Sequence, residues 1–277
     1  MSSKKSNLAA NGKPQPPFPN GFVLPFHYSS LTNCGVFYLV DADKVEKHLE
    51  GTGLLLALFD GKAMFSFNYQ LYTGQFATGC SIVQEVEVCL LTYPSSKAAD
   101  IPQITADEYI RGYDQTKLFG NLRLFVPCDS PLAIKAGIEL YGEPKFQTTF
   151  NINLPSHNSN PMGTNWEFTV NDPKDDKAFI MKCAIETSRL TPFKANFSPI
   201  TEYGTHNDKL IACRWDILQP MDTYFFDDDQ SRVSLSFGKS SHLMKSTIEN
   251  IVGDAKPIAA RTYLSPSAAI NSRAYYP

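Results

Sequence analysis

The sequence lacks the marks of several common functional classes. Charge of one sign never accumulates: 25 basic and 28 acidic side chains give a net charge of −3 over 277 residues. The lack of a long block of either sign argues against a phosphate-tracking surface, and nucleic acid is not an expected partner. No apolar stretch is long enough for a signal peptide or a membrane span, so the expectation is a cytoplasmic protein with no membrane partner. The six cysteines, Cys34, Cys80, Cys89, Cys128, Cys183 and Cys213, include no Cys-x-x-Cys pair and have no histidine at zinc-ligand spacing. They read as buried thiols in a reducing compartment. Neither βα alternation nor a Gly-rich phosphate loop is present, which excludes a doubly wound nucleotide-binding fold. There is no Gly-x-Ser-x-Gly elbow, and Ser241-His242 are adjacent, so their side chains diverge and Ser241 reads as a helix-start serine. Asp227-Asp228-Asp229 lacks the spacing of a calcium loop and reads as a solvated turn.

Aromatic side chains are plentiful: 19 Phe and 13 Tyr in a chain that is 43% hydrophobic indicate a folded, strand-rich protein. Residues 1–20 are dominated by Ser, Lys, Asn, Gly and Pro and read as a flexible arm, leaving 21–277 as one domain. Short runs rich in β-branched and aromatic residues follow at 36–40, 54–59, 63–72, 81–92 and 122–127, then at 146–154, 165–170, 178–186, 209–215 and 232–237. Turn residues separate them. A short helix is expected from an Asp41 cap to Leu49, with further helices over 106–113, around 133–136 and over 242–251. The fold class is mainly β with a few helices.

Chemistry is sparse. Glu85 and Glu87 fall on one face of their strand, as paired glycosidase carboxylates would, but exposed glutamates commonly do the same and the pair reads as a solvated face. More informative is the segment 128–146, where Gly137 and Gly142 punctuate a run ending in Pro144-Lys145-Phe146. Asp129, Ala133, Ile134, Gly137, Glu139, Leu140, Pro144 and Lys145 stand at spacings that resemble the acetoacetate decarboxylase family. More weakly, Tyr38 to Val45, Gln84 to Val88 and Leu235 to Pro266 fit the same pattern.

That resemblance implies a cone-like antiparallel β-barrel with peripheral helices, a homo-oligomer, and a lyase that needs no metal or organic cofactor. It makes Lys145 a Schiff-base nucleophile toward a small-molecule keto or β-keto acid or similar carbonyl compound. An amine must be neutral to attack a ketone, while free lysine titrates near 10.4, so the site must lower that value. The resemblance implies that such a lysine is made nucleophilic by desolvation or a neighbouring cation. A Lys after Pro at a strand edge is otherwise an ordinary snorkelling surface side chain.

The sequence also departs from the family. Phe146 replaces its second lysine, so any depression of the Lys145 pKa has to come from burial. Glu143 replaces an aromatic residue; pointed at Lys145 it would favour the ammonium, or serve as a general acid or base. The family's arginine falls near Leu31 and its two glutamates near 66–68 and Ser81, where no matching residue stands. His27, Asn68, Tyr69, Gln84 and Glu85 are the nearest substitutes. Such changes resemble relatives with aldolase, dehydratase or cyclase activity in secondary metabolism. The candidate site is thus Lys145, Glu143 and Glu85 for catalysis, with Phe146, Tyr69, Asn68, Gln84 and His27 around the substrate. The alternative is a non-catalytic barrel that binds an apolar ligand between Phe65, Phe67, Tyr69 and Phe146. A buried Lys145 favours the enzyme, and a solvent-facing one leaves the binding protein.

Overall fold

The structure, a computed structural model, describes residues 16, 21–158, 164–227, 230–269, 273–274 and 276. The expected arm over 1–20 lies outside the described residues except for position 16, as do parts of the 156–163 and 227–229 turns.

Two sheets build the molecule. The larger runs in the order Phe193–Ala195, Met221–Phe225, Pro257–Leu264, His27–Asp41, Lys62–Phe76, Gly79–Pro94, Gly120–Cys128, Ile200–His206, Lys209–Trp215. Short strands at Leu54–Leu56, Leu58–Phe59 and Lys145–Gln147 attach to it. Pairing is antiparallel except around Gly120–Cys128, which lies parallel to both Ile200–His206 and Lys145–Gln147. The smaller sheet orders Val233–Phe237, Phe179–Glu186, Asn165–Asn171 and Phe150–Asn153.

Strand periodicity sets what lies between the sheets. In the long hairpin of Lys62–Phe76 with Gly79–Pro94, Phe65 faces Leu90, Phe67 faces Val88 and Tyr69 faces Val86. Side chains alternate across a strand, so these six share one face. They pack with Phe168, Val170, Met181, Cys183 and Ile185 of the smaller sheet into the main core. Each fully buried large side chain there contributes about 1.5–3 kcal/mol of transfer free energy. The register places Asn68 opposite Glu87 and Gln70 opposite Glu85 on the other face.

The expected strands are present, although the 54–59 run divides into Leu54–Leu56 and Leu58–Phe59 and the 146–154 run into Lys145–Gln147 and Phe150–Asn153. Four strands were not anticipated: Phe193–Ala195, Ile200–His206, Met221–Phe225 and Pro257–Leu264. The expected helix after Asp41 is instead two 3-10 turns, Ala42–Lys44 and Glu46–Leu49. Asp41 does not cap them, because its carboxylate is paired with Lys62 and Lys44. Ala106–Ile110 starts in a capping box between Thr105 and Glu108. The helix expected around 133–136 covers Pro131–Tyr141, from the Ser130 cap and Pro at its first position to Gly142 at φ +65°. Leu243–Val252 is capped by His242, not by Ser241, and buries Met244, Ile248, Ile251 and Val252. No helix among the described residues is long and apolar enough to cross a membrane. Of the six free thiols, Cys80 is exposed and Cys213 half-buried, which corrects the expectation of a uniformly buried set.

Candidate active site

Lys145 begins a short strand directly after the turn that ends the Pro131–Tyr141 helix. That helix ends at Gly142, in the left-handed conformation that glycine adopts without strain. The strand lies parallel to Gly120–Cys128, pairing Lys145 with Val126. Gly137 makes room for it: a Cβ there would collide with the Glu143 carboxylate and the Lys145 side chain. This accounts for a glycine in the middle of a helix, where it costs about 1 kcal/mol relative to Ala. Asp129 ties the segment to the neighbouring strand, accepting hydrogen bonds from the Gln84 backbone N–H at 2.8 Å and from its side-chain amide at 3.0 Å.

The Lys145 side chain is 5% exposed. Its ammonium donates to Glu85 Oε2 and stands 3.3 Å from Glu143 Oε2. Glu85, expected on a solvated face with Glu87, is as buried as its partner, at 3% exposure each. The solvated reading of that pair is overturned, because Lys145, Glu143 and Arg123 close over the two carboxylates. Gln70 donates to Glu85 Oε1 at 2.6 Å, and Asn68 donates to Glu87 Oε2 at 3.1 Å.

Arg123, from the adjacent strand, gathers the remaining acids. It donates to Glu87 Oε1 at 2.5 and 3.0 Å, to Glu143 Oε1 at 2.8 Å and to Glu202 Oε1. Glu202 also accepts from the Cys213 thiol at 3.3 Å. The result is one buried network of four carboxylates and two cations. Sequence reasoning missed Arg123, Gln70 and Glu202 as members, and its expected arginine position near Leu31 holds only an apolar wall residue. A signal was present for Arg123, a lone charged residue inside the apolar run 122–127, and for Gln70, which follows Ser66 and Asn68 at the strand period on one face of its run. Glu202 lies on a strand that the sequence did not suggest.

Electrostatics follow from burial and mixed charge. For Lys145, burial disfavours the ammonium, but Glu85 and then Glu143 outweigh it and hold the pKa above that of free lysine. Burial thus acts in the expected direction, but the expectation that the site lowers the Lys145 pKa is corrected. Burial raises the Glu85 carboxyl against the opposing pull of Lys145. It also pushes Glu202 up to about 7, against the pull of Arg123. Glu87 is lowered: burial raises it, but Arg123 and the Asn68 hydrogen bond prevail. Acids outnumber cations in the network four to two.

A cavity of about 850 Å³ opens onto this network. Gln70, Glu85, Glu87, Arg123, Glu143, Lys145 and Glu202 all reach its wall, and His27 lies among its exposed lining residues. Farther along, Tyr28 stacks on Tyr72 at 4.2 Å and stands 6.2 Å from Trp215, while Phe26 lies 5.3 Å from Phe76. Tyr69, Gln84, Asn68 and Phe146 are not lining residues. Tyr69 points into the core, donating to Gln84 Oε1 at 2.8 Å and stacking on Phe168. Asn68 acts one step away, through Glu87. Phe146 stacks on His242 at 4.5 Å. The supposed ligand aromatics Phe65, Phe67 and Tyr69 fill the core against one another and Phe168, leaving no room between them.

No family model matches this sequence, and no curated protein matches it. Solved structures do. The fold is that of the acetoacetate decarboxylase-like enzymes. The enduracididine biosynthesis enzyme MppR, in complex with the condensation product of pyruvate and imidazole 4-carboxaldehyde, is 12% identical with a TM-score of 0.57, over 90% of this chain and 85% of that one. An acetoacetate decarboxylase-like enzyme from Sphingomonas wittichii RW1 is 13% identical with a TM-score of 0.52, covering 86% and 88%. Acetoacetate decarboxylase from Legionella pneumophila is 13% identical with a TM-score of 0.51, covering 95% of each chain. At such identity the likeness concerns the acetoacetate decarboxylase-like fold alone, and the chemistry has to be argued from the residues above.

Proposed function

We propose that this chain is a lyase-type enzyme of the acetoacetate decarboxylase-like kind that joins Lys145 Nζ to a carbonyl carbon of a small-molecule substrate as an imine. The observation that carries this reading is a buried lysine at the wall of a large cavity, held between two carboxylates. The barrel-like closure of the sheets and the homo-oligomer implied by the family resemblance belong to the same proposal.

In the resting site Lys145 is an ammonium. Glu85, already hydrogen-bonded to it and raised by burial, takes its proton when substrate arrives. Moving that proton neutralises both partners and removes an opposed charge pair from a poorly solvated site. The free amine attacks the carbonyl carbon, and the oxygen leaves as water with the proton returned from Glu85. The resulting iminium withdraws electrons from the neighbouring carbon, so carbon dioxide loss, proton removal or carbon–carbon bond making and breaking can follow. Glu143 is the second proton carrier within reach. Asn68 and Gln70 position the acids, and His27 lies at the mouth.

Cyanoborohydride trapping of the purified protein with a panel of keto acids, ketones and aldehydes, read by intact mass and peptide mapping, tests the assignment. One adduct on Lys145, absent from Lys145→Ala, is expected. Identical behaviour of the two proteins across the whole panel would remove the Schiff-base reading.

A further inference from the structure

We infer that the substrate carries no carboxylate beside its reacting carbonyl and is instead a ketone or aldehyde with an extended apolar body. This rests on the imine reading of Lys145 and names the substrate class for it.

The charge census around the amine carries the first half. Every cation of the buried network is already engaged: Arg123 spans Glu87, Glu143 and Glu202, and Lys145 lies between Glu85 and Glu143. A keto acid would bring a further buried negative charge beside four carboxylates that already share both cations of the network, and Arg261, a buried cation near Glu87 and Glu202, does not line the cavity. Burying an unpaired charge among like charges is strongly unfavourable. The other basic lining residues, His27 and Arg214, are exposed and lie outside the network. An uncharged carbonyl meets no such repulsion.

Size and lining carry the second half. The cavity of about 850 Å³ falls within the range of roughly 300–1,000 Å³ typical of sites for drug-sized ligands, far larger than a three- or four-carbon acid requires. Beyond the charged wall Phe26, Tyr28, Tyr72, Phe76, Trp215 and Leu218 give the lining a broad aromatic and aliphatic surface, with His27, Arg214 and Asp216 also on it. A flat or extended apolar body fits that lining, with its carbonyl turned toward Lys145.

Without a carboxylate there is no carbon dioxide to lose. The step after imine formation is then removal of a proton from the carbon beside the iminium. That C–H bond breaks, its electron pair forms the C=C of an enamine, the iminium nitrogen takes back its lone pair, and a network carboxylate receives the proton. No oxidant or reductant is required.

Matched pairs separate the possibilities. Phenylacetone and phenylpyruvate differ in a methyl against a carboxylate on the same carbonyl, as do acetone and pyruvate. Trapping with cyanoborohydride at pH 7.5, with Lys145→Ala as background, should give at least tenfold more Lys145 adduct from phenylacetone than from phenylpyruvate, and more from phenylacetone than from acetone. Glu202→Gln, which removes one negative charge, should shift the first ratio toward the acid by about tenfold. Lys145 adducts formed equally well or better from the two acids would overturn this inference and leave the imine reading standing. Absence of any Lys145-dependent adduct would overturn both.

Discussion

The two faces of the hairpin formed by Lys62–Phe76 and Gly79–Pro94 are equally buried and chemically opposite. On one face Phe65, Phe67, Tyr69, Val86, Val88 and Leu90 are at most 1% exposed; on the other Asn68, Gln70, Glu85 and Glu87 are at most 3% exposed. The first is held by close packing and is indifferent to pH. The second is held by pairing of charges, and its stability depends on which protons are present. An alternation that ordinarily separates core from solvent here separates a core from a site.

Substitutions of similar size on the two faces should therefore have similar cost at high pH and different cost at low pH. Phe67→Ala is expected to lose about 3–5 kcal/mol of stability, at pH 5 and pH 8 alike. Arg123→Leu strands three buried carboxylates, an effect also of about 3–5 kcal/mol at pH 8. Toward pH 5 Glu87 and Glu202, no longer held by Arg123, take up protons, while Glu143 keeps Lys145 beside it, and the loss should shrink by half or more. Urea unfolding at the two pH values reads both. A pH-independent Arg123→Leu would mean that the polar face is held by packing after all.

Glu202 gives a smaller effect with a defined window. Its folded pKa of about 7 lies above its ordinary value of 4.5, so the folded protein holds that proton more tightly than the unfolded chain. The associated stability is full below 4.5 and is lost as pH rises to about 7, an amount on the order of 3 kcal/mol. Glu87, lowered by Arg123, acts in the opposite sense only below 4.5. Glu202→Gln keeps the shape of the protonated acid. Its melting temperature relative to the wild type should rise between pH 5 and pH 8, and a flat difference would show that Glu202 is ionised throughout.

The contrast between the faces also explains what could be read in advance. Strands were legible where apolar residues alternate or run together, and the Lys145 segment where its glycines and Pro144 fall in a recognisable pattern. Glu85 was placed near the family's glutamate position, and Glu143 was anticipated as an opponent of nucleophilicity; both touch Lys145. What escaped was burial. Local pattern cannot say whether a polar face meets water or another wall of the protein, so Glu85 and Glu87 read as solvated. Arg123 and Glu202 meet across strands 79 residues apart in sequence, through a parallel pairing that no local signal marks. Ile200–His206 went unrecognised because Glu202 and Gly204 interrupt its apolar residues. Yet Gly204 is needed where the chain crosses Tyr141, whose carbonyl leaves no room for a Cβ.

Tyr69 offers the smallest and most direct test of whether the faces are independent. The sequence placed it around the substrate, but its ring lies in the core 5.3 Å from that of Phe168, and its hydroxyl holds Gln84, which in turn holds Asp129 ahead of the Pro131–Tyr141 helix. Tyr69→Phe removes one neutral hydrogen bond and should cost about 1 kcal/mol in urea unfolding. Because Tyr69 faces away from the network, the rate of Lys145 trapping by phenylacetone should stay within about twofold of wild type, since about 1.4 kcal/mol would be needed for a tenfold change. A tenfold loss of trapping in a variant of normal stability would mean that the link through Gln84 and Asp129 transmits position to Lys145. The apolar face would then act as a support that sets the geometry of the site, and the separation drawn between the two faces would fail.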